Sequence, residues 1–376
     1  MAPIKILHVV GARPNFMKVA PVMEAFEQAA DVSQRLVHTG QHYDDELSES
    51  FFADLRLRRP DLNLGVGSAS HGIQTGRVMI ALEPVMERFR PDWLFTVGDV
   101  NSTLAAALVA VKLGIPIAHV EAGLRSHNWS MPEEINRVLT DRLSTALFTT
   151  EPGAADNLRS EGIPEDRIHF VGNVMIDTLD RYREEAARLL VHEALGLVER
   201  QYVVVTLHRP RNVDDPKRLS AVLTALHEVA SECGCPVLLP LHPRTALNIR
   251  RFRLDSALNG IRVMQPLRYL EFVGLMDKAG AVLTDSGGIQ EETTVLGVPC
   301  VTLRPETERP ITITMGTNRL FTGDLHRLAD VVRDAVHEER SDGIRPPLWD
   351  GEASQRIVAA ILGASLPAGV ESAAGL

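Results

Sequence analysis

Residues 93–121 read WLFTVGDVNSTLAAALVAVKLGIPIAHVE. Trp93–Val97 is a short apolar run that stops at Gly98-Asp99. Ser102–Lys112 is an Ala- and Leu-rich stretch of helical length, and Ile115–Val120 is a second apolar run that ends on Glu121. Strand, helix and strand, with both strands apolar throughout, predict a parallel sheet. Its crossover helices bury both faces, so no polar alternation survives along the strands.

Outward from this unit the pattern continues. Ile6–Val10, Leu36–Thr39 and Ala146–Thr149 read as further strands, with helices at Pro21–Gln28 and Gly76–Phe89. It then starts again. Tyr202–Thr206, Pro236–Leu241, Ile261–Met264, Ala281–Thr284 and Pro299–Leu303 read as strands, and Leu219–Ser231, Tyr269–Ala279 and Gly288–Leu296 as helices. Asp177–Glu199 reads as one long polar-faced connector helix ending near Gly196. The expected fold is α/β, with two Rossmann-like doubly wound parallel-sheet domains facing a cleft. The domains are placed at 1–172 and 173–351, with a helix at about 352–364 packing back on the first. A chain of 376 residues allows this at about 150 residues per domain. The Ala-, Gly- and Ser-rich tail from Gly363 is expected to fray.

Composition narrows the function. A net charge of −10 with no basic stripe argues against nucleic acid as a partner. No run approaches 18 uncharged apolar residues, so no membrane span is expected, and Ile4–Val10 is too short for a signal peptide. Cys233, Cys235 and Cys300 are too few for a disulfide framework or a zinc site, which points to a reducing, cytoplasmic setting. No G-x-G-x-x-G follows a strand, so no nicotinamide cofactor is expected.

The informative residues should follow strands, where such sheets bind ligands. In Thr284-Asp285-Ser286-Gly287-Gly288, the paired glycines admit a ligand to the backbone, and the open N–H groups of the following helix suit a diphosphate. Ser286 is a plausible N-cap, and Glu292, one turn on, can accept bonds from ribose hydroxyls. A capped Gly-rich turn is the plain alternative. In GARPNFMK, Arg13 and Lys18 are local cations in an acidic chain, or merely solvated charges on a capped helix. Asp99, Glu121 and Glu133 lie at neighbouring strand-end loops, and acid–base chemistry at carbon needs such acids with unequal proton affinities. An N-cap would explain Asp99, and dipole complementarity would explain Glu133 and Glu134. Glu121, ending an apolar strand, has no such structural explanation. His208 ends the first strand of the second half.

Taken in order, GARPNFMK, TGQH (39–42), GDVNST, HVEAGLRS, PEEINR, VGNVMID (171–177), TLHR, TDSGGIQEE, ERP (308–310), GTNRL (316–320) and DGEA (350–353) resemble the non-hydrolysing UDP-N-acetylglucosamine 2-epimerase family over about residues 4–360. The resemblance implies a GT-B type fold, UDP-N-acetylglucosamine and UDP as ligands, a homodimer, and no cofactor or metal. It implies elimination of UDP to a 2-acetamidoglucal and readdition. It places Asp99, Glu121, Glu133 and His208 in the acid–base set, and Arg13, Lys18 and Arg309 at the phosphates. Ser286, Gly287 and Gly288 match the diphosphate turn, Glu292 the ribose ligand, Phe272 the aromatic near uracil, and Leu267 a main-chain contact to that ring. Arg137 is counted with the substrate-binding residues. The chain departs from many bacterial members at Asn15 and Ile311, where they carry Glu. It also departs at Asp44 and at Leu241-His242-Pro243-Arg244-Thr245, which lacks an Asn. Activation by substrate at a second site therefore does not carry over.

Three rivals remain at this level. A hydrolysing 2-epimerase would release free sugar, a GT-B UDP-sugar glycosyltransferase would need an acceptor groove and usually one base, and a sensor would tolerate loss of the acids.

Overall fold

The structure is a computed structural model that describes residues 3–29, 32–41, 54–340 and 345–363. The chain forms two compact units, one of residues 1–181 with 347–376, the other of residues 182–346.

The first unit runs β1 (Ile4–Val10), α1 (Arg13–Gln28), β2 (Val32–His38), β3 (Leu62–Asn63), α2 (His71–Phe89), β4 (Trp93–Val97), α3 (Asn101–Lys112), β5 (Ile117–Ala122), α4 (Pro132–Leu143), β6 (Ala146–Thr149), α5 (Pro152–Ser160), β7 (Ile168–Phe170) and α6 (Val174–Arg188). Among the described residues the strands form one parallel sheet in the order β3-β2-β1-β4-β5-β6-β7. Neighbouring strand residues point to opposite faces, so Ile6 packs with Val22 and Phe26 on one side and Leu7 with Leu82 and Met86 on the other. Continuous apolar strands are the consequence.

The second unit runs α7 (Val191–Ala194), β8 (Val203–Thr206), α8 (Pro210–Val213), α9 (Pro216–Glu232), β9 (Val237–Pro240), α10 (Pro243–Phe252), β10 (Arg262–Met264), α11 (Tyr269–Asp277), β11 (Ala281–Thr284), α12 (Gly287–Leu296), β12 (Cys300–Thr302), α13 (Ile311–Thr314), β13 (Asn318–Leu320) and α14 (Leu328–His337). Its parallel sheet has the order β10-β9-β8-β11-β12-β13. In each sheet the order reverses beside the first strand, between β1 and β4 and between β8 and β11. A doubly wound sheet opens a crevice for ligands at that point.

Several details differ from the sequence expectation. The division falls after Arg181 instead of at 172, and the first unit regains the chain at Pro347. There α15 (Ala353–Leu362) packs on α1, and the Asp177 carboxylate caps it by accepting from the Ala353 and Ser354 N–H groups at 3.1 and 2.7 Å. The connector is two helices, because Leu190 takes a left-handed conformation (φ 47°) between them. α1 is longer than expected and runs through Pro21. The two-residue β3 and the three-residue β7 and β13 escaped sequence reading, being too short to show a period. No described helix is long and apolar enough to cross a membrane. His42, Asp44 and the tail beyond Gly363 lie outside the described residues, and so does the side chain of Arg13.

Candidate active site

In the first unit the loops after β1, β4 and β5 meet. Asn15 builds the first of them. Its Oδ1 accepts from the Ala12 and Gly11 N–H groups at 2.9 and 3.1 Å, and its Nδ2 donates to the Val97 carbonyl at 3.1 Å. A glutamate here could accept those bonds, but it could not donate the third. Gly11 leaves no room for a side chain, since a Cβ would sit 2.3 Å from Ser102 Oγ.

Glu121 is the unusual residue. β5 pairs in register with β6 up to Val120 and resumes at Ala122, so Glu121 sits in a bulge. Its φ is 72°, a left-handed conformation that costs a non-glycine residue on the order of 1–3 kcal/mol. The carboxylate is 5% exposed and ion-paired with the buried ammonium of Lys18. Lys18, expected beside phosphates, thus contacts an acid in this arrangement. A buried pair is sensitive to loss of either partner, at about 3–5 kcal/mol, because the remaining charge is left uncompensated.

Asp99 ends the loop after β4. Val100, not Asp99, occupies the N-cap of α3, and the Asp99 carboxylate instead accepts from Arg137 at 2.5 Å. Arg137 also holds Glu134 at 2.7 Å. Burial pushes the Glu134 carboxyl up, but the Ser126 N–H and the Arg137 guanidinium outweigh it, and its pKa lies below the ordinary value. Glu133 stands half-buried beside it in the first turn of α4. Glu134, which the sequence reading named beside Glu133 but left out of the acid–base set, is the more deeply buried of the two.

In the second unit His208 and Asp285 face each other across the β8–β11 switch point. The His208 ring Nδ1 lies 3.0 Å from Asp285 Oδ1. Asp285 is fully buried. Burial raises its pKa, yet His208, the Arg209 N–H and the Asn212 amide hold it below the ordinary value. An ionised Asp285 requires His208 Nδ1 to carry the proton of that bond, which fixes the ring. Sequence reading missed Asp285, although it ends an apolar strand just as Glu121 does.

Ser286 occupies the N-cap position of α12 without a side-chain cap bond, leaving the first N–H groups of the helix open. A Cβ at Gly287 would come 2.5 Å from Arg309 Nη1, so any larger residue would displace that buried guanidinium. Arg309 is buried between Glu291, at 2.8 Å, and Glu308, at 2.5 Å. Gly288 follows, half-buried, in the first turn. Further along, Glu292 accepts from the Tyr269 hydroxyl at 3.0 Å. Burial, reinforced by the neighbouring Glu291, pushes Glu292 up to about 8 against the Tyr269 bond. Leu267 and Phe272 are half-buried on either side of the start of α11.

Two doubly wound parallel-sheet units in one chain, with charged residues at both switch points, are the architecture of the GT-B type. The sequence profile of the UDP-N-acetylglucosamine 2-epimerase family matches residues 24–362. The UDP-N-acetylglucosamine 2-epimerase of Methanocaldococcus jannaschii is 39% identical over 363 residues, 94% of this chain and 98% of that one. The UDP-2,3-diacetamido-2,3-dideoxy-D-glucuronate 2-epimerase of Pseudomonas aeruginosa is 41% identical over 364 residues, again 94% and 98%. The crystal structure of the M. jannaschii enzyme in complex with UDP-GlcNAc and UDP superposes with a TM-score of 0.90 at 38% identity, covering 96% of this chain and 100% of that one. The chain belongs to the UDP-N-acetylglucosamine 2-epimerase family and is an epimerase.

Proposed function

We propose that the chain interconverts UDP-N-acetylglucosamine and UDP-N-acetylmannosamine without hydrolysis. The observation that carries the chemistry is Glu121, an acid placed in a strained bulge at a strand end beside Lys18 and close to the Asp99–Arg137–Glu134 network. Inverting C2 requires removing its proton. As that proton leaves, the C1–O bond breaks, the electron pair departs with UDP, and a C1=C2 double bond forms. A proton then adds to the opposite face of C2 and a UDP oxygen rebonds to C1. Atoms and electrons balance with no oxidant.

Asp99, Glu121, Glu133 and His208 form the acid–base set in this reading. The open start of α12 at Ser286–Gly288, with Arg13 and Arg309, takes the diphosphate. Glu292 takes the ribose, Phe272 and Leu267 the uracil, and Arg137 supports the acids. A homodimer fits too. Ile73 and Ile80 on α2, Val111 on α3, and Ile135 and Leu139 on α4 are exposed large apolar residues on successively packed helices. The free thiols of Cys233, Cys235 and Cys300 fit a cytoplasmic enzyme.

Proton NMR of UDP-N-acetylglucosamine incubated with the protein in D2O tests the reading. Deuterium at C2 with the UDP linkage retained is expected. Free sugar would instead identify a hydrolysing epimerase, and an unchanged spectrum would remove the activity. One observation favours a second substrate, the 41% identity to the diacetamido-glucuronate epimerase. The same experiment with that nucleotide sugar decides between them by relative kcat/KM.

A further inference from the structure

The acid–base scheme leaves unused a buried carboxylate bonded to three residues beside it, Asp141 on α4, which is 1% exposed. Its Oδ1 accepts from the His119 ring Nδ1 at 2.6 Å, and its Oδ2 from the Gly123 N–H at 3.1 Å and from Arg125 Nη1 at 2.7 Å. His119 precedes Glu121 by two residues and Gly123 follows it by two. The other ring nitrogen, Nε2, donates to the Gly98 carbonyl at 2.8 Å, and the Gly98 N–H returns a bond to the Val120 carbonyl at 3.1 Å. Both ends of the bulge are therefore tied to one side chain, and its near end also to the loop that carries Asp99.

We propose that Asp141, acting with His119, is a positioning residue that clamps the β5 bulge and holds Glu121 in the left-handed conformation needed to reach C2. The proposal rests on the reading of Glu121 as a proton-transfer group. A left-handed glutamate persists only where its surroundings over-determine it, and here the sheet register does not, because Glu121 is the residue the register skips. Lys18 holds the Glu121 side chain, and the backbone on either side is held by the carboxylate that bonds two residues before and two after it. Burial raises the pKa of Asp141, but His119 and Arg125 bring it below the ordinary carboxylate value, so the group is an ionised acceptor. The His119 ring is spanned between that carboxylate and the Gly98 carbonyl, at 2.6 and 2.8 Å, and cannot turn. Arg125 closes the assembly from outside through Glu161, with both contacts at 2.7 Å.

Asp141→Asn keeps the shape but replaces one acceptor oxygen with a donor, which must confront the His119 ring, or else the Gly123 N–H and Arg125. The folded D141N enzyme is expected to lose about 10–100-fold in kcat and in C2 deuterium incorporation, with the Kd for UDP by calorimetry changed less than about threefold. In an E121Q background the same substitution should cost less than about threefold more, since a clamp has nothing left to position. A purely structural role would lower the melting temperature and leave kcat per folded molecule intact, or the two losses would multiply. Either result overturns the proposal. If D141N does not fold, His119→Gln decides by the same criteria. A fully active E121Q would refute the reading of Glu121 and the proposal with it, whereas normal turnover of D141N beside a dead E121Q refutes the clamp alone.

Discussion

Glu292→Gln isolates the energetic consequence of burying an acid in α12. Glu292 is 3% exposed and is pushed from an ordinary value of 4.5 up to about 8. A carboxyl whose folded pKa is raised stabilises the folded state fully below the unfolded pKa and loses that stability as pH climbs to the folded value. Between 4.5 and about 8 the unfolded chain has released a proton that the folded chain retains, so each pH step costs about 1.4 kcal/mol. At pH 7 that is about 3 kcal/mol (7 minus 4.5, times about 1.4), and near pH 8 it levels off at about 5 kcal/mol. Glutamine keeps the oxygen that accepts from Tyr269 and removes the titration. E292Q should therefore match the parent in stability near pH 5, exceed it by about 3 kcal/mol at pH 7, and show no further gain above pH 8. Urea unfolding from pH 5 to 9, compared by midpoint at constant m-value, measures this. Parallel pH profiles for the two proteins would refute the reasoning, and so would an E292Q less stable at pH 7.

Other expectations follow from the same geometry. E121Q should lower kcat by at least about 100-fold, the lower range for a positioned acid or base, with UDP affinity little changed; a near-normal kcat would remove Glu121 from the chemistry. UDP at a hundred times its Kd should raise unfolding stability by about 2.7 kcal/mol while NAD raises none, and an equal melting shift with NAD would contradict the diphosphate site at α12. The exposed Ile80 on α2 should sit in a dimer contact, so I80D should halve the mass seen by light scattering at micromolar concentration; a parent protein that is already monomeric would defeat this.

The sequence by itself determined the alternation of apolar strands with helices, and hence two doubly wound sheets. Each long strand is buried on both faces, and that burial is written into its composition. It also determined that acids and a histidine stand at strand ends, because a charged residue closing an apolar run has few structural uses. Edge strands such as β3 and β13 were illegible, since two or three half-paired residues carry no period. Tertiary structure alone decided the partners. Lys18 reads only as a cation and Asp99 only as a strand-end acid until the fold lays Lys18 on Glu121 and brings Arg137 from α4 to Asp99. Asp141 and Asp285 looked unremarkable because their work is done across 18 and 77 residues of chain. The left-handed turn at Glu121 is likewise invisible in sequence. Local preference disfavours it, and contacts distant along the chain hold it.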